Sequence, residues 1–360
     1  MSMQIEQRGR VLPYVHAIRE ALAQEMKADP SVFVFGLDVD DHKGIQGSTM
    51  GLVDEFGAER VFTTPLSEDA MTGAAIGAAM TGMRPVHVHI RMDFMMLAMN
   101  QLVNMAAKTH YMYGGAFNVP LVVRSMIGKS WGQGAQHSQG LHAMFAHVPG
   151  LKVVAPSNAY DVKGCLIEAI RDNNPVVFME HRLLYFTEAF VPEESYTVPF
   201  GKGRIHGADG EAAADVTLVG VSNMVLECLR TKEILAETGV RCEVVDPISI
   251  RPLDFDTIAE SARRTGRVII VDNAWVDFGT SAEIAARIAE NDDLRHVQIR
   301  RMGYAPTTCP TTPWLEKEFY PNPATIAEAA YALVHPDKPG LSVAPEKVEL
   351  AYQAQFRGPF

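Results

Sequence analysis

Apolar residues recur along this chain with two alternating periods, and the alternation predicts an α/β protein. Val11, Val15, Ile18, Leu22 and Met26 fall at helical spacing, so a helix is predicted over residues 11–26. SVFVFGL at 31–37 then reads as a short buried strand. Residues 38–57 are rich in Asp and Gly and read as a loop with a short helix near 51–56. A brief strand at 61–63 leads into TPLSEDAMTGAAIGAAMT, residues 64–81, a helix of unusually small residues. RPVHVHIR at 84–91 alternates as a strand does. From Met92 apolar residues again follow helical intervals through Lys108, until Gly114 and Gly115 end the run. Strands at 120–124, 151–155 and 175–180 and a helix at 161–172 complete a parallel sheet covered by helices on both faces.

The pattern breaks between about 186 and 215, where PEESYTVPFGKGRIHGADGEAAAD gathers prolines, glycines and charges. Beyond it the alternation resumes, with strands at 216–221, 242–245, 267–271 and 297–300 and helices at 223–237, 254–265 and 280–290. A further helix is predicted at 324–333. The chain therefore reads as two doubly wound α/β domains: residues 1–190, a linker at 191–215, a smaller domain at 216–340 and an extended tail at 341–360. A length of 360 residues agrees with two cores.

Composition narrows the function. A net charge of -11 without a basic cluster argues against nucleic acid. No apolar run is long enough for a membrane span and the first residues lack an apolar signal region, so a cytoplasmic location is expected. Cys165, Cys228, Cys242 and Cys309 are scattered without a CxxC pair, which fits reduced thiols.

Candidate chemistry lies at the strand-to-helix transitions. Glu68 follows a potential cap, Ser67, in the first turn of the small-residue helix, where it could simply complement the helix dipole. Gly73, Ala74, Ala75, Gly77, Ala78 and Ala79 leave room for another backbone or a flat ligand. His87 and His89 share one strand face and could hold a metal, although no third ligand stands nearby and packing or hydrogen bonding is the simpler role. His137 lies in the glycine-rich MIGKSWGQGAQHSQG, in polar surroundings. Phe94, where strand meets helix, reads first as core packing. Asp172, Asn173 and Asn174 close a helix whose free carbonyls could hold a monovalent cation.

Several separated stretches, TTPLSEDAMTGAAIGAAMTGMRPV, MNQLVNMAAKTHYMYGG, GAQHSQGLHAMFAHVPGLKVVAPSNAYDVKGCLIEAIRDNNPVVFMEH, EVVDPISIRPLDFDTI and VDNAWVDFGTSAEIAARI, together resemble the beta subunits of thiamine-diphosphate-dependent 2-oxo acid dehydrogenases. The resemblance covers about residues 11–333 and implies a transketolase-like pyrimidine-binding domain followed by a transketolase C-terminal-like domain. It implies a half-site: this chain takes the aminopyrimidine, and an alpha subunit, in an α2β2 heterotetramer, takes the diphosphate and Mg2+. No GDG motif followed by Asn at the family's spacing occurs here; GADG at 207–210 lies in the linker. Glu68 matches the family's catalytic glutamate, whose carboxyl meets the pyrimidine nitrogen and promotes the imino tautomer. The small-residue helix is then expected to bury that acid and keep the site dry. Phe94 matches the aromatic that stacks on the pyrimidine. His137 matches a histidine assisting acyl transfer to a lipoyl group. Leu121, Ala169, Ile170, Asp172 and Asn174 align with a structural K+ site. A lipoyl acyltransferase partner and a 2-oxo acid substrate are implied with them.

Some positions depart from that pattern. Leu37 stands where the family has an acid, Leu97 and Asn100 replace polar and acidic residues, and Met126 replaces a proline. The tail TTCPTTPWLEKEFYPN differs from the family's proline-rich stretch. A split transketolase or acyloin-forming enzyme, passing its two-carbon or acyl unit to an aldehyde or ketone, is the alternative that keeps Glu68. A non-catalytic scaffold subunit is the remote one.

Overall fold

A computed structural model describes residues 10–129, 132–207 and 213–344. The first half runs β1 (Val11–Pro13), α1 (Tyr14–Ala28), β2 (Val32–Gly36), α2 (Leu52–Phe56), β3 (Val61–Thr63), α3 (Glu68–Met80), β4 (Arg84–His89) and α4 (Met92–Met95). It continues with α5 (Ala107–Met112), β5 (Val122–Ile127), α6 (His142–Ala146), β6 (Lys152–Val154), α7 (Ala159–Arg171), β7 (Val176–His181) and β8 (Glu188–Phe190). The second half holds β9 (Arg204–His206), β10 (Val216–Gly220), α8 (Asn223–Ala236), β11 (Cys242–Asp246), β12 (Ser249–Arg251) and α9 (Phe255–Thr265). It ends with β13 (Arg267–Trp275), α10 (Thr280–Glu290), β14 (Gln298–Tyr304), α11 (Pro313–Phe319) and α12 (Pro323–Val334).

A seven-stranded sheet in the order β12-β6-β7-β5-β4-β2-β3 forms the centre of the first half, parallel except for β12. Its strands are apolar on both faces because helices cover both, and β5 and β7 are buried at every position. The two charges inside them are paired: Arg124 Nε donates to Glu180 at 2.6 Å, and the Tyr185 hydroxyl donates to the same carboxylate. At Gly36, with φ of 144°, a Cβ would overlap the Val88 carbonyl, so glycine is what lets β2 end against β4. The second sheet runs β14-β13-β10-β11-β9, with only β9 antiparallel.

Several sequence expectations need correction. The helix expected from residue 11 starts at Tyr14, because Val11–Pro13 pairs as a strand with β8. The run after Met92 is not one helix: α4 passes into a 3₁₀ turn (Met96–Ala98) and a π-helical stretch (Gln101–Ala106) before α5. Gly114 and Gly115 do end it, at φ of 61° and 84°. Ser67 occupies the N-cap position of α3 but makes no capping hydrogen bond. In the stretch read as a linker, β9 pairs with β11, and β12 of the second half crosses to pair with β6 of the first. The tail expected at 341–360 lies outside the described residues beyond 344, and α11 was not anticipated. All four cysteines are buried and free. Among the described residues no helix is long and apolar enough to cross a membrane.

The halves also meet through polar groups. His142 Nε2 lies 2.9 Å from Asp272 Oδ1, both fully buried. Ser157 Oγ donates to Asp246 at 2.5 Å.

Candidate active site

The site candidates sit where strands end, the side on which parallel α/β sheets place their ligands. Glu68 follows β3, Phe94 follows β4, and His137 follows β5. Glu68 opens α3 and is half-buried, so the helix does not enclose it as expected. It lines a small cavity with Leu37, Thr64, Met71, His87 and His89. Leu37, the residue standing in place of the family's acid, thus contributes an apolar wall beside the carboxyl.

Thr72, one helical turn past Glu68, faces the same side. Its hydroxyl lies 3.4 Å from His87 Nδ1 and 3.3 Å from His89 Nε2. The two rings are 4.3 Å apart, and His87 also stacks on Phe35. Burial pushes the His89 pKa down to about 4 and that of His87 well below its usual value, so both imidazoles are neutral at neutral pH. Among the described residues no group of three His, Cys, Asp or Glu side chains could hold a metal. The histidine pair therefore belongs to the wall of the cavity.

Phe94 and His137 meet directly, their rings edge to face at 5.1 Å and 79°. Each is half-buried and so accessible. Asp93, immediately before Phe94, is buried and accepts hydrogen bonds from Gln139. Ala169, Ile170, Asp172 and Asn174, expected to hold a cation with Leu121, lie at and just past the C-terminal end of α7. Arg84 Nη1 donates to the Ile170 carbonyl at 2.9 Å and the Asp172 carbonyl at 3.0 Å. The Leu121 carbonyl accepts from Val176 N, and the Ala169 carbonyl accepts from Asp172 N. Asp172 Oδ1 accepts from the backbone and side-chain nitrogens of Asn174, at 2.9 and 3.0 Å.

Sequence reasoning missed three of these residues. Thr72 carried a signal, its i+4 spacing from Glu68, whereas Asp93 and Arg84 act through contacts 46 and 86 or more residues away along the chain. The groups present suit a flat heterocycle with one ring acceptor. Glu68 offers a carboxyl and Phe94 a phenyl face, both from segments that leave the C-terminal ends of parallel strands. Among the described residues lining the cavity beside Glu68, none is Lys or Arg.

Comparison with known proteins finds relatives along most of this chain. Residues 11–187 match the transketolase pyrimidine-binding domain and residues 207–326 the transketolase C-terminal domain. The acetoin:2,6-dichlorophenolindophenol oxidoreductase subunit beta of Cupriavidus necator is 43% identical over 333 residues, covering 89% of this chain and 97% of that one. The mitochondrial pyruvate dehydrogenase E1 component subunit beta-1 of Oryza sativa subsp. japonica is 40% identical over 319 residues, covering 87% and 84%. A solved structure described as a split gene transketolase, inactive beta4 tetramer, superposes with a TM-score of 0.73 at 19% identity over 90% of this chain and 98% of that chain, a likeness of fold. This chain belongs to the family of beta subunits of thiamine-diphosphate-dependent 2-oxo acid dehydrogenases.

Proposed function

We propose that this chain is the pyrimidine-binding half of an oxidoreductase that decarboxylates a 2-oxo acid and passes the acyl group to a lipoyl acceptor. The observation that carries the proposal is that Glu68, in the first turn of α3, follows the C-terminal end of β3 on the same edge of the sheet from which the segments after β4 and β5 bring Phe94 and His137 together. When bound, thiamine diphosphate supplies the electron sink that decarboxylation requires. Glu68 holds and returns a proton at its carboxyl, facing the pyrimidine nitrogen. Phe94 offers its ring face for offset stacking. His137 moves a proton at the acyl oxygen during transfer.

The diphosphate and Mg2+ fall to an alpha partner in an α2β2 assembly, with a lipoyl acyltransferase downstream. Leu121, Ala169, Ile170, Asp172 and Asn174 are proposed as a structural K+ site, since the bonded carbonyl oxygens of the first four each keep a second lone pair. The C. necator relative favours a second reading for the substrate, an acyloin such as acetoin in place of the 2-oxo acid.

The test is coexpression with an alpha chain, thiamine diphosphate and Mg2+, and assay of 2-oxo acids and acetoin with dichlorophenolindophenol as acceptor. Turnover of one substrate class decides between the readings. Glu68→Gln is expected to lower turnover by about 10²–10⁴-fold with the complex intact by gel filtration. Retained activity in that variant would sink the assignment. In calorimetry, tight Mg2+-dependent cofactor binding by this chain alone would contradict the half-site.

A further inference from the structure

An edge-to-face ring pair tolerates centroid separations of about 4.5 to 7 Å, so contact with Phe94 does not by itself fix the His137 imidazole. The loop backbone around it must do so. Ser138 is buried against Tyr320. A Cβ at Gly140 would overlap the Asn273 carbonyl, which lets β13 close over the loop. Between them, Gln139 is bonded twice to a single oxygen of Asp93, through its backbone N–H at 3.2 Å and its side-chain nitrogen at 2.8 Å. Asp93 precedes Phe94. One carboxylate therefore ties the residue two past His137 to the residue one before Phe94.

Asp93 is an unusual group to bury. It is 8% exposed, and its other oxygen, Oδ2, has no hydrogen-bond partner among the described residues. Leaving a buried carboxylate oxygen unsatisfied costs free energy that an apolar residue would not incur. Burial pushes the carboxyl up from the usual aspartate range, and the Gln139 donors oppose that shift. The Arg91 charge opposes it too, but of the groups that face this carboxyl only Gln139 belongs to the loop that carries His137.

We propose that Asp93 is a positioning residue: by holding Gln139 it sets the loop register that places the His137 imidazole edge-on against Phe94, and hence where His137 meets the acyl group. The inference rests on the role proposed for His137.

The test uses the full chain with 13Cε1-labelled histidine. The His137 signal is assigned with His137→Gln, and its Phe94 ring-current shift is calibrated with Phe94→Leu. Asp93→Ala is expected to move the signal most of the way to the Phe94→Leu position and to speed exchange of the Gln139 amide by about ten-fold or more. Asp93→Asn keeps a carbonyl oxygen that accepts both Gln139 donors and should restore both readouts. Gln139→Ala keeps only the backbone bond and should fall between. In the alpha-chain complex, Asp93→Ala should lower kcat with little change in KM, and Asp93→Asn should recover it. An unmoved His137 signal in folded Asp93→Ala overturns the proposal, as does an Asn variant no better than Ala. If Asp93→Ala fails to fold, the Asn and Gln139→Ala variants decide: a His137 signal that Gln139→Ala leaves in place overturns the proposal, and a shifted signal that Asp93→Asn does not reproduce supports it. A wild-type complex that turns over neither substrate class removes the reaction while leaving the ring-current result standing.

Discussion

Thr72 has one hydroxyl hydrogen and two imidazole neighbours, so it donates to one ring nitrogen and accepts from the other. That bridge is what satisfies two neutral histidines behind Glu68. Thr72→Val keeps the shape and removes the bridge, leaving two buried nitrogens unpaired. Because both contacts are long, the loss should lie near the lower end of about 1–3 kcal/mol, read from the urea midpoint at pH 7. An unchanged midpoint would mean that the histidines are satisfied without it. At this scale the sequence is only partly legible. The i, i+2 spacing places His87 and His89 on one face, but their shared partner arrives from another element. Glu68 looks like a dipole-complementing acid by local sequence, and only the family's motifs distinguish it. Asp93 carries no local sign of its contact, since its partner Gln139 lies 46 residues along the chain.

Helix caps show how elements differ where sequence signals look alike. Ser67 and Asn322 both stand at N-caps, yet only Asn322 closes a capping box, accepting from Ala324 N and Thr325 N at 3.1 Å while Thr325 returns the bond. Asn322→Ala should cost about 0.5–2 kcal/mol, whereas Ser67→Ala should stay within about 0.5 kcal/mol. Chemical denaturation of both variants checks the contrast, and equal losses would refute it. The regular elements are legible because period and burial agree, as in β5 and β7. The stretch after Met92 is not, because its apolar spacing is compatible with α, 3₁₀ and π turns alike, and packing against α3 selects among them. Val11–Pro13 reads as helix because its apolar residues continue the α1 stripe, while its strand partner β8 lies far along the chain.

At the scale of the molecule, titrating groups of opposite sign are buried at different places. Asp246, at the junction of the halves, faces Ser157, the Ile248 amide, Asp161 and Arg204, and burial followed by the Asp161 charge pushes its pKa from 3.8 to about 7. The folded state thus holds a proton that the unfolded state releases, and this group's contribution to stability falls as pH rises from about 4 to 7. His89 runs the other way: burial lowers it from 6.5 to about 4, so its contribution is complete above the unfolded value and is lost as pH falls through that window. The two slopes oppose each other over nearly the same range, and the wild-type profile alone conceals both. Single variants separate them. Asp246→Asn should make stability climb more steeply with pH between 4 and 7, because its opposing contribution is removed, and His89→Leu should make it fall more steeply or rise less. Urea unfolding at half-unit pH steps measures both slopes. Parallel profiles for wild type and Asp246→Asn would show that the junction carboxyl is already ionised in the folded protein across this range and would refute the prediction.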